Sequence, residues 1–149
     1  MNKKGSATIE AAFGILLVMT VLMAVANFVS ISYARNKISQ QVEVFATKTS
    51  LNGGILYDDY DEFLLNLCND GYDITGVVIG VKRVINGIPD GSDILLYDKM
   101  SANYVSINDN DNQIQLSITV PYKSGQIFYS LFQDLTQMQF ERRVISRRE

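Results

Sequence analysis

The spacing of apolar positions changes along the chain, and each change marks an element. From Ala11 to Val29 only Thr20 and Asn27 are polar. These 19 residues, at 1.5 Å each, cover about 28 Å, close to a bilayer hydrocarbon core of about 30 Å. One membrane-length helix is predicted. Beyond it, Ile31, Ala34, Ile38, Val42 and Phe45 recur at steps of three or four, while Arg35, Lys37, Gln40, Gln41 and Glu43 fall elsewhere around the helix. That is the pattern of a rod with one face laid on a core. A single helix from about Ala7 to Thr49 is therefore expected, stopped by Ser50-Leu51-Asn52-Gly53-Gly54, where Asn and Gly accept left-handed backbone.

A shorter helix follows. Tyr60, Phe63, Leu64, Leu67 and Cys68 share one face, Asp59 with Glu62 three residues on reads as a capping box, and Gly71 closes the element. Cys68 on that face is read as a small buried hydrophobe rather than a reactive thiol. From Thr75 the period becomes that of strands: Val77 to Ile85 is rich in β-branched residues, and Asn86-Gly87 and Asp90-Gly91 are turn signals leading to a second strand, Ile94 to Tyr97. Asn103 to Ile107 and Gln113 to Tyr122 read as a further hairpin. In its second arm Ile114, Leu116, Ile118 and Val120 alternate with Gln115, Ser117 and Thr119, as in a strand with one face wet. The last strand, about Thr136 to Ser146, is expected at a sheet edge. The fold class is α+β: a long helix packed on an antiparallel sheet.

Composition narrows the chemistry. The chain has 149 residues, which allows one modest domain beside the helix, with no His, no Trp and a single cysteine, Cys68. An intrachain disulfide and a Cys/His zinc site are excluded by lack of ligands. The net charge of −3 conceals a stretch from Ser50 to Asp134 with twelve acids against Lys82, Arg83, Lys99 and Lys123, a surface that does not by itself attract nucleic acid. Arg142, Arg143, Arg147 and Arg148 form a basic C-terminal stretch. A phosphate or lipid-headgroup patch is one reading of it; edge-strand protection or charge pairs between subunits is preferred. Asp109 and Asp111, in Asn108-Asp109-Asn110-Asp111-Asn112, are weak metal candidates as Ca²⁺ ligands. The tract lacks the glycine and distal glutamate of an EF-hand loop, and a turn is the simpler account. No nucleophile–base pair or phosphate-binding glycine motif stands out. The expectation is a protein that is not an enzyme and takes no cofactor.

The N-terminus carries the most chemical information. Lys3-Lys4-Gly5-Ser6-Ala7-Thr8-Ile9-Glu10 places a basic leader, a glycine and one acid at the lip of the apolar helix. A carboxylate is costly in lipid, on the order of 2.5 to 3.5 kcal/mol at the centre of a spanning helix and less near the interface. A neutralising partner is expected. If the bond after Gly5 were cut, Ser6 would become the N-terminus, one helical turn from Glu10. An amine on a neighbouring copy is better placed to reach that carboxylate than the chain's own, which points along the helix axis.

Gly5, Ser6 and Glu10, followed by an uninterrupted apolar helix, resemble the class III signal of type IV prepilins. The C-terminal end, Ile118-Thr119-Val120-Pro121-Tyr122-Lys123, then an apolar segment from Ile127 to Leu135, then a strand ending in Arg147-Arg148-Glu149, resembles TadE-like pseudopilins of tight-adherence (Flp) pilus systems. The chain departs from that pattern in carrying Ala11 where Phe is usual and in lacking a proline in the helix. The resemblance implies a leader over 1–5, a transmembrane helix over 6–29, an amphipathic extension over 30–50 and an extracytoplasmic α+β domain over 51–149. It implies cleavage after Gly5 by a prepilin peptidase, methylation at Ser6, and Glu10 pairing with the terminal amine of an adjacent subunit. Its partners would be that peptidase, other pilin or pseudopilin subunits, the pilus assembly platform, and membrane lipid before assembly. It places the N-terminus in the bacterial cytoplasm, the C-terminal domain outside, and finally the protein at the cell surface in a structural, adhesive role. Charge counting does not set the orientation, because Lys3 and Lys4 are matched by Arg35 and Lys37.

Other readings stay open at this level. A pseudopilin of a type II secretion or competence DNA-uptake machine would share the same features. Ala24-Val25-Ala26 could serve a signal peptidase, which would release a secreted domain. An ordinary single-pass anchor carrying a binding domain is the remaining alternative.

Overall fold

The computed structural model describes residues 3–96, 98–122 and 137–149, with side chains from residue 9 onward. One helix, α1 (Lys3–Asn52), runs through both the apolar run and the amphipathic stripe. Among the described residues its lower half projects alone: Phe13, Leu16, Leu17 and Phe28 are between 65 and 72% exposed. Its upper half packs, with Ile38, Val42, Phe45 and Ala46 buried. The division falls where the sequence changes from uniformly apolar to striped. Gly53, at φ +68°, ends the rod in the left-handed region. A Cβ there would collide with the Val105 carbonyl.

Two residues of strand, β1 (Ile55–Leu56), lead into α2 (Tyr57–Asn69). Here the structure corrects the sequence reading. The residue before α2 is Leu56, which makes no side-chain cap, and Asp59 lies inside the first turn. Instead of capping, Asp59 accepts from Asn52 Nδ2 at 3.0 Å and pairs with Lys48 at 3.0 Å, while Glu62 meets the same Lys48 at 2.7 Å. At the far end of α2, Lys37 and Gln41 hold Asp70 at 2.6 and 2.8 Å. So α2 lies antiparallel on α1 with a polar clamp at either end and a Phe45–Phe63 ring stack, centroids 4.8 Å apart, between them. Gly71, at φ +78°, closes α2 as expected, with its N–H on Cys68 O and that of Tyr72 on Leu67 O. Phe63 and Leu67 are buried, but Cys68 is exposed. Its position turns just past the contact stripe, so it is not the core residue anticipated.

After a short 3₁₀ turn (Ile74–Gly76) come β2 (Val78–Ile85), β3 (Ile88–Asp90), β4 (Leu95–Leu96), β5 (Gln113–Pro121) and β6 (Gln137–Ile145). The antiparallel sheet has the order β3-β2-β5-β6. Asn86 and Gly87, both at positive φ, make the two-residue turn from β2 to β3. The chain around Ile94 does not form the second hairpin arm that the turn signals suggested. β4 pairs in parallel with β1 and so ties the sheet to the helical layer, while Tyr97 lies outside the described residues. Asn103 to Ile107 is irregular rather than a strand, because its hydrogen bonds go elsewhere: Val105 N–H to Gly53 O and Ile107 N–H to Arg148 O. In β5 the alternation is clean, with Ile114, Leu116, Ile118 and Val120 buried against α1, Met138 and Phe140. β6 is at an edge, as expected. The architecture, a long N-terminal apolar helix whose outer half packs on an antiparallel sheet, is pilin-like.

Candidate assembly site

Helical backbone continues through Gly5 and Ser6, and the Ser6 side chain lies outside those described. Glu10 stands exposed on α1 with no hydrogen bond or ion pair among the described residues, at the start of a stretch from Ile9 to Val29 that touches nothing else in the chain's core. Four residues, just over one turn, separate Ser6 from Glu10, so both sit at the same end of the rod. A continuous apolar cylinder with one carboxylate near its tip has two ways to satisfy itself: lipid around the cylinder, or other helices around it with a cation at the acid. Thr20 adds no polar cost, since its hydroxyl donates back to Leu16 O at 2.8 Å.

The weaker candidates resolve differently. Asp109 accepts from Ser106 N–H at 3.0 Å and pairs with Arg83 at 3.1 Å, while Arg83 Nε donates to Asp111 O at 3.0 Å. A guanidinium therefore occupies the loop where a cation was considered. Two of the four C-terminal arginines are engaged within the chain. Arg142 reaches Glu43 at 2.6 Å and Ser39 at 3.3 Å, fixing β6 to α1. Arg148 stacks over Tyr104 at 3.7 Å and donates to Asn52 O, Lys99 O and Ser101 O. Arg143 and Arg147 remain exposed. The apolar segment Ile127 to Leu135, which contributed to the C-terminal resemblance, lies outside the described residues.

Sequence reasoning missed both polar clamps on α2 and the Arg148 latch. Their partners are far apart in sequence, and no local spacing announces them. Electrostatics follows the contacts. Lys48 is held above its ordinary value by hydrogen bonds to Glu62 and Asp59, and Lys37 likewise by Asp70. Burial raises the Tyr72 phenol. Hydrogen bonds from Thr75 lower the Asp73 carboxyl. No family model matches the chain, and neither does any curated protein or solved structure.

Proposed function

We propose that this chain is a non-enzymatic structural subunit of a type IV filament, a minor pilin or pseudopilin of the TadE-like, tight-adherence (Flp) kind. In this reading it is inserted with its N-terminus in the cytoplasm, cut after Gly5 by a prepilin peptidase, and drawn from the membrane into a filament through Glu10 and α1. The observation that carries the reading is the bare apolar half of α1, rigidly continuous with a half that is packed on the sheet. A domain built to fold alone has no use for such a projection; a subunit that exchanges lipid for neighbouring helices does. That Glu10 has no hydrogen bond or ion pair among the described residues supports the register role. An unpaired carboxylate is penalised in an apolar bundle until its helix slides to where a neighbour's Ser6 amine sits, so subunits dock at one axial offset.

Intact mass of the protein from its native host tests processing. Loss of residues 1–5 with one added methyl is expected. Loss of residues 1–26 would mean secretion, and an uncut chain a simple anchor. Glu10→Ala is expected to insert and be cleaved but to be absent from filaments, and normal incorporation would refute the register role.

A further inference from the structure

Among the described residues Asn86 alone, apart from glycines, has a positive φ, +50°, and Gly87 follows it at +83°. The two form the loop between the paired Ile85 and Ile88. A two-residue hairpin loop of this kind needs both residues left-handed, which Asn-Gly accepts readily. It also leaves their N–H groups outside the ladder: neither donates to a backbone carbonyl among the described residues. Both residues are exposed, the Asn86 amide has no hydrogen bond among the described residues, and a Cβ built on Gly87 meets nothing within 4 Å. Beyond the loop, β3 is three residues long, contains Pro89 and pairs with β2 alone. Such an edge opens locally at less cost than the domain unfolds. The chain's other Asn-Gly pair is Asn52-Gly53, and it is held. Asn52 is half-buried, its Nδ2 donates to Asp59 at 3.0 Å and its carbonyl accepts from Arg148 at 3.0 Å. Gly53 is buried, with its carbonyl on Val105 N–H. The backbone here is also tied to the last strand. β6 runs alongside α1 in the same direction, because Arg142 meets Ser39 and Glu43 while Arg147 N–H meets Ser50 O. Rotation about Asn52 therefore waits on separation of α1 from β6.

We propose that Asn86 is a site of spontaneous deamidation in the folded protein, and that the reaction opens the β3 edge of the sheet. The Gly87 nitrogen gives its proton to hydroxide and attacks Asn86 Cγ. The Cγ–Nδ2 bond breaks, the nitrogen takes a proton from water and leaves as ammonia, and a five-membered succinimide remains. Water then opens the ring, at Cγ to give aspartate or at the main-chain carbonyl carbon to give isoaspartate. The balance is one water consumed and one ammonia released. In the isoaspartate product the chain runs through Cγ and is one carbon longer between Ile85 and Ile88. A two-residue loop does not absorb that carbon, so the Ile85–Ile88 pair is lost and β3 leaves β2. β2 and β5 stay together, since Val81, Leu116 and Ile118 are buried in the core. Asp90-Gly91 forms the same ring only by losing water, and reopening it changes no mass. The inference stands apart from the filament reading.

The test incubates the full chain in detergent micelles at mildly alkaline pH, folded and in urea. Residues 52 and 86 are followed by peptide mass and by isoaspartate-specific methylation. In the fold, conversion at 86 is expected at least about tenfold faster than at 52, because β3 opens locally and Asn52 only with the domain. In urea the two rates should converge, each then being an Asn-Gly pair in an open chain. The isoaspartate form should lose amide-exchange protection at Ile85 and Ile88 and keep it at Leu116 and Ile118. Equal rates in the fold, a faster rate at 52, or an unchanged residue 86 over a time in which the urea sample converts would each overturn the site. Retained protection at Ile85 and Ile88 in the isoaspartate form would overturn the opening of the edge.

Discussion

Replacing Arg148 by alanine tests how the chain end is bound to the helix end. The guanidinium carbon sits 3.7 Å from the Tyr104 ring centroid, and Nη1 donates to Asn52 O at 3.0 Å. Nη2 is shared between Lys99 O and Ser101 O. At a half-exposed site the stacking is worth about 0.5 to 1 kcal/mol. Charge-assisted bonds run from about 1.5 kcal/mol upward when well formed, with the shared pair counting as little more than one. Solvent takes part of this back, so the loss expected for Arg148→Ala is about 2 to 3 kcal/mol. Arg148→Lys should recover less than half, because a single ammonium cannot face the ring and reach three carbonyls together. Urea titration of the full chain in detergent, followed by far-ultraviolet circular dichroism, reads the difference at constant m-value. The bare half of α1 stays helical in the micelle, so the transition reports the domain. A loss under about 0.5 kcal/mol, the level of an ordinary surface change, would refute the latch.

Two further outcomes follow from the same contacts. Gly53→Ala forces a side chain into left-handed backbone and against the Val105 carbonyl; the cost should exceed about 2 kcal/mol in the same titration, and a neutral result would mean that α1 ends differently. Because Lys37, Lys48 and Tyr72 all hold raised values in the fold, their protons are bound more tightly folded than unfolded. Their contribution is therefore complete below the unfolded values and is lost as pH rises through the folded ones. The urea midpoint should fall above about pH 10, and the Lys37→Met/Lys48→Met pair should flatten that fall; an unchanged slope would remove the clamps from the account.

What the sequence disclosed is what neighbours in sequence decide. The rod, its stop at Gly53, the closing Gly71, the Asn86-Gly87 turn and the alternation of β5 each depend on a few consecutive residues, and each was legible. The misses are of another kind. Asp59 looked like a cap because Glu62 follows at the right distance, yet Lys48 on α1 claims both carboxylates. Asn103 to Ile107 looked like a strand, yet Gly53 and Arg148 take its backbone bonds. The β1–β4 pairing joins segments some forty residues apart, with only two residues from each. Cys68 lies one position off the buried stripe, a difference of rotation that periodicity alone does not resolve. Gly5, Ser6 and Glu10 were singled out for an interaction with other molecules, and such an interaction leaves no mark on the contacts within one chain.

The parallel course of β6 and α1 has a mechanical consequence. A pull on the N-terminal rod is shared among contacts spread from Ala34 to Asn52, side-chain pairs together with the Arg147 N–H to Ser50 O bond. They are loaded side by side, in shear, and none has to give way first. A domain fastened at one end would peel open contact by contact under the same load, whereas this one travels with its rod as a single body.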